Sequence, residues 1–205
     1  MSGLHRRALL LGALLALPGG RALAGAQVEE PLADAVRSAL SAAIANSAPP
    51  KPRFERVEDR LAYLRWLGEM SERLKRRLSE SLTRIEFLET LWYESKRAGL
   101  DPALVLGLVQ VESGFRKYAI SSAGARGYMQ IMPFWARLIG DGQASRLFHM
   151  QTNLRFGCVI LRHYLDRERG DMFLALGRYN GSRGRAEYPN AVFGNRKRWL
   201  MPGEV

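Results

Sequence analysis

Residues 102–113 read PALVLGLVQVES. On a helix this run is apolar nearly all the way round, and a helix without a polar face has to lie at the centre of a fold. Both of its ends are marked. Asp101-Pro102 supplies an N-cap followed by proline at the first helical position, and Gly114 closes the run. Its last turn holds Glu112. From Pro102 to Gly140 no other Asp or Glu occurs, although 25% of the chain is charged. A carboxylate in such a setting is costly to keep ionised. The negative end of the helix dipole adds to that cost. The sequence therefore places an acid of raised pKa at a helix end that opens onto a glycine-containing loop.

Other helices are expected around this one. Val57, Leu61, Leu64, Leu67, Leu74 and Leu78 recur at helical spacing, which predicts an earlier helix ending near Ser79. Thr83-Arg84-Ile85-Glu86 has the spacing of a capping box, so a second helix is expected from there to Ala98, stopped by Gly99. Pro133 opens a short helix ending at Gly140. A longer one is expected over about Thr152 to Arg169, Asp171 caps another over Met172 to Tyr179, and a short one lies near Tyr188 to Phe193. No run of alternating β-branched residues is found. The fold class is all-α.

The first residues stand apart from this core. A basic stretch at His5 to Arg7 precedes the ten apolar residues Ala8 to Leu17, and Ala22-Leu23-Ala24 follows with small-x-small spacing. That is the pattern of a cleavable signal peptide, residues 1–24, and it implies export. Its removal takes away Arg6, Arg7 and Arg21 and no acid, so the formal charge falls from +11 by 3 to +8. A basic exported chain suits an anionic polymer outside the cytoplasm. Nucleic acid is the other usual partner of a basic chain, but no nucleic-acid motif is present and none is expected to bind. Residues 25–82 read as a helical extension containing the Pro-rich stretch Asn46 to Phe54. Residues 83–205 read as the main domain, and a chain beginning near Ser79 is expected to fold on its own. Cys158, the one cysteine, lies in an apolar helical run and reads as core. His149 and His163 lack metal-ligand spacing, so neither a metal nor a cofactor is expected.

Three motifs, in order, carry a family resemblance: Glu112-Ser113, the stretch SSAGARGYMQIMP from Ser121 to Pro133, and RYNGS from Arg178 to Ser182. Together they resemble the catalytic domain of soluble lytic transglycosylases, relatives of goose-type lysozymes. The resemblance covers about Thr83 to Tyr188 and implies a lysozyme-like helical domain with a long groove. It also implies cleavage of the β-1,4 bond between N-acetylmuramic acid and N-acetylglucosamine in peptidoglycan, leaving a 1,6-anhydro end. The signal peptide points to the periplasm, and the lack of a second long apolar run predicts a soluble mature chain. An envelope-spanning secretion or wall-remodelling complex is a possible partner on that reading. By motif position Glu112 is the catalytic acid. Ser121, Gln130, Met132, Tyr179, Asn180 and Tyr188 are implied to bind substrate, with the Tyr179 hydroxyl reaching the acid and Tyr188 near it. Met129 and Ile131 read as core. Tyr128 and Arg178 stand where the family usually has leucine and alanine, and Arg178 is either a cation beside the groove or a solvated one. Most glycoside-cleaving sites use two carboxylates. A single acid suffices if it first donates a proton and then accepts one from the sugar's own C6 hydroxyl. The alternatives are a hydrolytic muramidase, in which Asp141 or another acid activates water, and a wall-binding component without catalysis.

Overall fold

The structure, a computed structural model, describes residues 51–138 and 143–204 and, before them, Ser38 alone. The Pro-rich stretch before Lys51, the expected signal peptide and Asp141 lie outside the described residues. The elements are α1 (Val57–Leu74), α2 (Ser81–Arg97), α3 (Pro102–Glu112), α4 (Pro133–Leu138), a 3-10 turn (Ala144–Phe148), α5 (Met150–Arg167), α6 (Met172–Asn180), α7 (Glu187–Arg196) and a final 3-10 turn (Lys197–Trp199). Among the described residues there is no strand, only isolated bridges between Ile120 and Arg126 and between Arg126 and Ile131. The fold is all-α, as its sequence pattern requires.

Helix α3 occupies the centre. The Asp101 side chain caps it by accepting from the Ala103 amide at 2.9 Å, and every residue from Pro102 to Val109 is buried. The last helix, α7, crosses α3 at Gly107. A Cβ there would lie 2.7 Å from the Arg196 amide nitrogen and 2.9 Å from the Val192 carbonyl, so glycine is what lets the two backbones meet. Arg196 also reaches the cap of α3, at 2.6 Å from the Asp101 carboxylate. Helices α2 and α5 are joined inside the protein by an Arg155–Glu94 pair at 2.7 Å, with both side chains almost fully buried. Burial pushes the Glu94 pKa up, and the Arg155 hydrogen bond opposes that rise. Cys158 is a buried free thiol on α5, and burial raises its pKa.

Two expectations are corrected. Helix α2 starts at Ser81, before the Thr83–Glu86 box, because the Glu80 carboxylate accepts from the Leu82 and Thr83 amides at 2.8 and 2.5 Å. Those bonds lower the Glu80 pKa. Helix α1 ends at Leu74 rather than near Ser79, and only part of its expected stripe packs, Leu67 and Leu74 together with Leu78 beyond its end. Val57, Leu61 and Leu64 are 68%, 51% and 48% exposed, whereas Tyr63, Trp66, Met70 and Leu74 are buried. Apolar residues occur on two sides of this helix, and periodicity alone cannot choose between them.

The expected division at residue 82 therefore runs through packed contacts. Tyr63 sits against Trp92 of α2, with ring centroids 4.7 Å apart. Arg84 donates to Ser71 at 2.9 Å, and Arg73 donates to the Leu200 carbonyl at 2.8 Å. Burying four large side chains at about 1.5–3 kcal/mol each amounts to a large part of the roughly 5–15 kcal/mol that holds a domain folded. A chain beginning at Ser79 is expected to lose its cooperative thermal transition, contrary to the expectation from sequence. Differential scanning calorimetry of that truncation decides the point, since a sharp transition near that of the longer chain would mark α1 as dispensable.

Candidate active site

Glu112 ends α3 and is 8% exposed. One carboxyl oxygen, Oε1, accepts the Tyr188 hydroxyl proton at 2.5 Å. The other, Oε2, is buried and has no partner. The Glu112 pKa is pushed up to about 8 by burial, and the Tyr188 hydrogen bond acts against that rise. Among the described residues no second carboxylate contributes to the shift. At pH 7 the acid form is favoured by about ten to one. The helix dipole is not needed to explain this, because loss of water around the carboxyl is sufficient. Tyr188 is 5% exposed at the start of α7, and its own pKa is raised first by burial and then by the Glu112 charge.

The loop that follows α3 wraps this end of the helix. Ser113 is buried, its hydroxyl donating to the Tyr128 carbonyl at 2.7 Å and accepting from the Phe115 amide at 3.2 Å. Two non-glycine residues here adopt the left-handed backbone region, Phe115 at φ 69 and Gln130 at φ 50. Such strain persists only when the surroundings over-determine it. Phe115 is wedged between the rings of Phe87 and Trp199, at 5.8 and 5.3 Å. Gln130 is buried and braces the loop, its side-chain amide donating to the Ala119 and Gly127 carbonyls at 3.1 and 2.9 Å. Ser121 closes a turn: its hydroxyl accepts from the Ala125 amide at 3.1 Å. The hydroxyl proton is not used by that bond. Met132 is half-buried against the core, while Met129 and Ile131 are fully buried.

Tyr179 and Asn180 end α6, where Gly181 at φ 78 turns the chain. Tyr179 is fully buried, and its hydroxyl donates to the Met129 carbonyl at 2.8 Å. Its one proton thus supports the loop. The hydroxyl that donates to the acid belongs to Tyr188, which corrects the expected role of Tyr179. Asn180 donates to the Ser182 hydroxyl at 2.9 Å, and its carbonyl oxygen is buried without a partner. Arg178 points to Glu168, which also receives Arg183. The two guanidinium groups hold the Glu168 pKa down at about 2. This cluster pins the turn after α6 to the end of α5.

One residue of the site's framework escaped the sequence reading. Asn153 of α5 is fully buried. Its carbonyl oxygen accepts from the Met129 amide at 2.8 Å, and its amide donates to the Arg126 and Leu147 carbonyls at 2.9 and 2.7 Å. It is packed so closely that a Cβ on Gly127 would fall 2.4 Å from its amide nitrogen. The available signal was an amide, Asn153, followed at helical spacing by Gly157, Ile160 and Tyr164 on α5.

The transglycosylase SLT domain family matches residues 90–201, a range that contains Glu112, the loop and Tyr188. The chain is 35% identical over 118 residues to a transglycosylase of Enterobacteria phage PRD1, covering 54% of this chain and 43% of that one. It is 45% identical over 84 residues to the membrane-bound lytic murein transglycosylase C of Mannheimia succiniciproducens, covering 37% of this chain and 24% of that one. The chain thus spans less than half the length of these relatives. The solved structure of a lytic transglycosylase Slt from Pseudomonas aeruginosa aligns with a TM-score of 0.45 at 23% identity, over 68% of this chain and 27% of that one.

Two consequences of the geometry can be measured. Tyr188 favours the Glu112 anion, so Tyr188→Phe is expected to move the Glu112 midpoint upward from about 8. Tyr179→Phe is expected to leave the midpoint in place and cost about 1 kcal/mol of stability through the lost loop bond. Carboxyl-carbon NMR titration separates the two. The second concerns stability. The folded-state pKa of Glu112 lies above its unfolded value of 4.5, so its contribution is fully present below 4.5 and is lost as pH rises towards 8. At pH 7 the loss is about 3 kcal/mol. Glu112→Gln cannot ionise, and its stability relative to wild type is expected to increase by that amount between pH 4 and pH 7 in urea denaturation.

Proposed function

We propose, for a chain that belongs to the transglycosylase SLT domain family, that it cleaves the glycan of peptidoglycan between N-acetylmuramic acid and N-acetylglucosamine without water. The observation that carries this reading is the Glu112 carboxyl: buried, neutral at pH 7, held on one oxygen by Tyr188 and unpartnered on the other, with no carboxylate partner among the described residues.

In the first step the Glu112 proton passes to the glycosidic oxygen, and the C1–O bond breaks with its electron pair on that oxygen. The carbonyl oxygen of the sugar's N-acetyl group bonds to C1 and takes up the positive charge, the substrate-assisted route. Glu112 is then an anion in a desolvated site. The Tyr188 hydrogen bond stabilises it there, and burial makes it a strong base. In the second step it removes the proton from the C6 hydroxyl, O6 bonds to C1, and the C1–O bond to the acetyl group breaks. Glu112 is neutral again, and the product is a 1,6-anhydro sugar. The nucleophile belongs to the same ring, so proximity replaces activation of water.

Ser121, Asn180 and Met132 are assigned to the substrate side of this site. The Ser121 hydroxyl proton and the unpartnered Asn180 carbonyl oxygen suit sugar amide and hydroxyl groups. Gln130 and Tyr179 are assigned to shaping the loop that receives the substrate. The setting is the periplasm, reached through the signal peptide of residues 1–24, with local wall opening for an envelope complex as one use of the activity. None of the described helices is long and apolar enough to cross a membrane.

Mass spectrometry of products released from purified peptidoglycan tests the reaction. Muropeptides lighter by one water and lacking a reducible end are expected. Products with reducing ends would replace this reading with a hydrolytic one. Glu112→Gln is expected to lower the cleavage rate by about 10²–10⁴ or more, since both proton transfers use the same group.

A further inference from the structure

At the other end of α3, away from Glu112, a cavity of about 800 Å³ opens between α1 and the family-matched part of the chain. Its walls carry Trp66 from α1, Trp92 from α2 and Trp199 after α7, with Phe54 and Tyr63 beside them. Asp59 and Lys96 are exposed on its lining. The Tyr63 hydroxyl is buried in this aromatic group without a hydrogen-bond partner, and Tyr63 is only 7% exposed. We propose that this cavity is a second saccharide-binding site, built by α1 on the face opposite the catalytic end of α3.

The chemistry of the lining selects the ligand. Asp59, Arg65, Lys96 and Glu204 share the lining with the aromatic rings, whereas a groove for an amphipathic helix or an acyl chain is dominated by apolar side chains. Sugar rings present the matching mixture, with C–H faces that lie against the half-buried rings of Phe54 and Trp92 and hydroxyls that bond to carboxylate and ammonium groups. Charges of both signs on the lining fit a largely neutral glycan better than a strongly charged polymer. The site also accounts for α1. The family match begins at residue 90, yet Trp66 and Tyr63 of α1 are buried against the matched region instead of leaving a free helix. The wall formed by Pro102 and Ala103 lies about 15 Å along α3 from Glu112, while Trp199 at the near edge of the cavity donates to Gln110 at 3.0 Å. The choice of a glycan rests on the wall-cleaving reading above.

The test uses the full chain carrying Glu112→Gln, so that bound sugar is not consumed. Chitotetraose is titrated while the four tryptophan indole N–H signals are followed by NMR. The expected result is movement of the Trp66 and Trp92 signals, lost when Ala62→Arg is added. Ala62 is an exposed position on the lining, so arginine there fills the cavity without disturbing the core. Binding to insoluble peptidoglycan is expected to fall about tenfold in the same variant. Trp92→Ala, verified as folded by circular dichroism, is expected to act in the same direction. The proposal is overturned if chitotetraose moves only signals around Glu112, or if Ala62→Arg leaves both readouts unchanged. It is also overturned if the cavity signals respond to an Ala-Glu-diaminopimelate stem peptide and not to the sugar, since the ligand would then be peptide. The catalytic reading is separately at risk: absence of any sugar response around Glu112 would count against it whatever the cavity does.

Discussion

The hydrogen bond from Tyr188 to Glu112 depends on one steric fact, the absence of a side chain at Gly107. Only there do the backbones of α3 and α7 come close enough for Val192 and Arg196 to lie against the central helix. Move α7 outward and its first turn, with Tyr188, moves too. Glu112 would then lose both the ring that helps exclude water and the hydroxyl that steadies its anion. The Asp101–Arg196 pair closes the same helix crossing at the far end. Packing of two helices thus determines an electrostatic quantity, the proton affinity of one carboxyl.

The loop facing that carboxyl is held in a different way. Its fixed points are polar: Asn153 on three backbone groups, Gln130 on two, Ser113 on the Tyr128 carbonyl and Tyr179 on the Met129 carbonyl. A buried loop has to satisfy its backbone groups somewhere, and here side chains from α5 and α6 do so. Two left-handed residues, Phe115 and Gln130, persist within this frame. Residues that resemble ligand-binding groups in the motif are therefore partly committed to the loop itself, leaving Ser121 and Asn180 with free hydrogen-bonding capacity.

Much of this was legible in the chain because the signals were local. The cap of α3, its burial, the isolation of Glu112 and the stop at Gly99 are all properties of short windows. The reading failed where the answer depended on distant packing. Helix α1 has apolar residues on two sides, and of its expected stripe Val57, Leu61 and Leu64 stay exposed while Leu67, Leu74 and Leu78 pack. Glu80 outcompeted the Thr83–Glu86 box because its carboxylate reaches two amides at once. Tyr179 and Tyr188 could not be told apart as partners of the acid until the α3–α7 crossing was known. Asn153 was the missed signal that sequence could have supplied, since a buried amide demands partners.

Glu112 and Tyr188 are 76 residues apart, and this spacing sets an order of events during synthesis. A ribosome releases the acid well before the tyrosine and before Trp199, which backs Phe115 beside it. Until residues 187–199 arrive, the Glu112 carboxyl lacks part of the burial that pushes its pKa up. Its conversion to a neutral acid waits for α7 to pack against α3. A molecule clipped before residue 187 accordingly carries the motif without Tyr188 and without the α3–α7 packing that surrounds its acid.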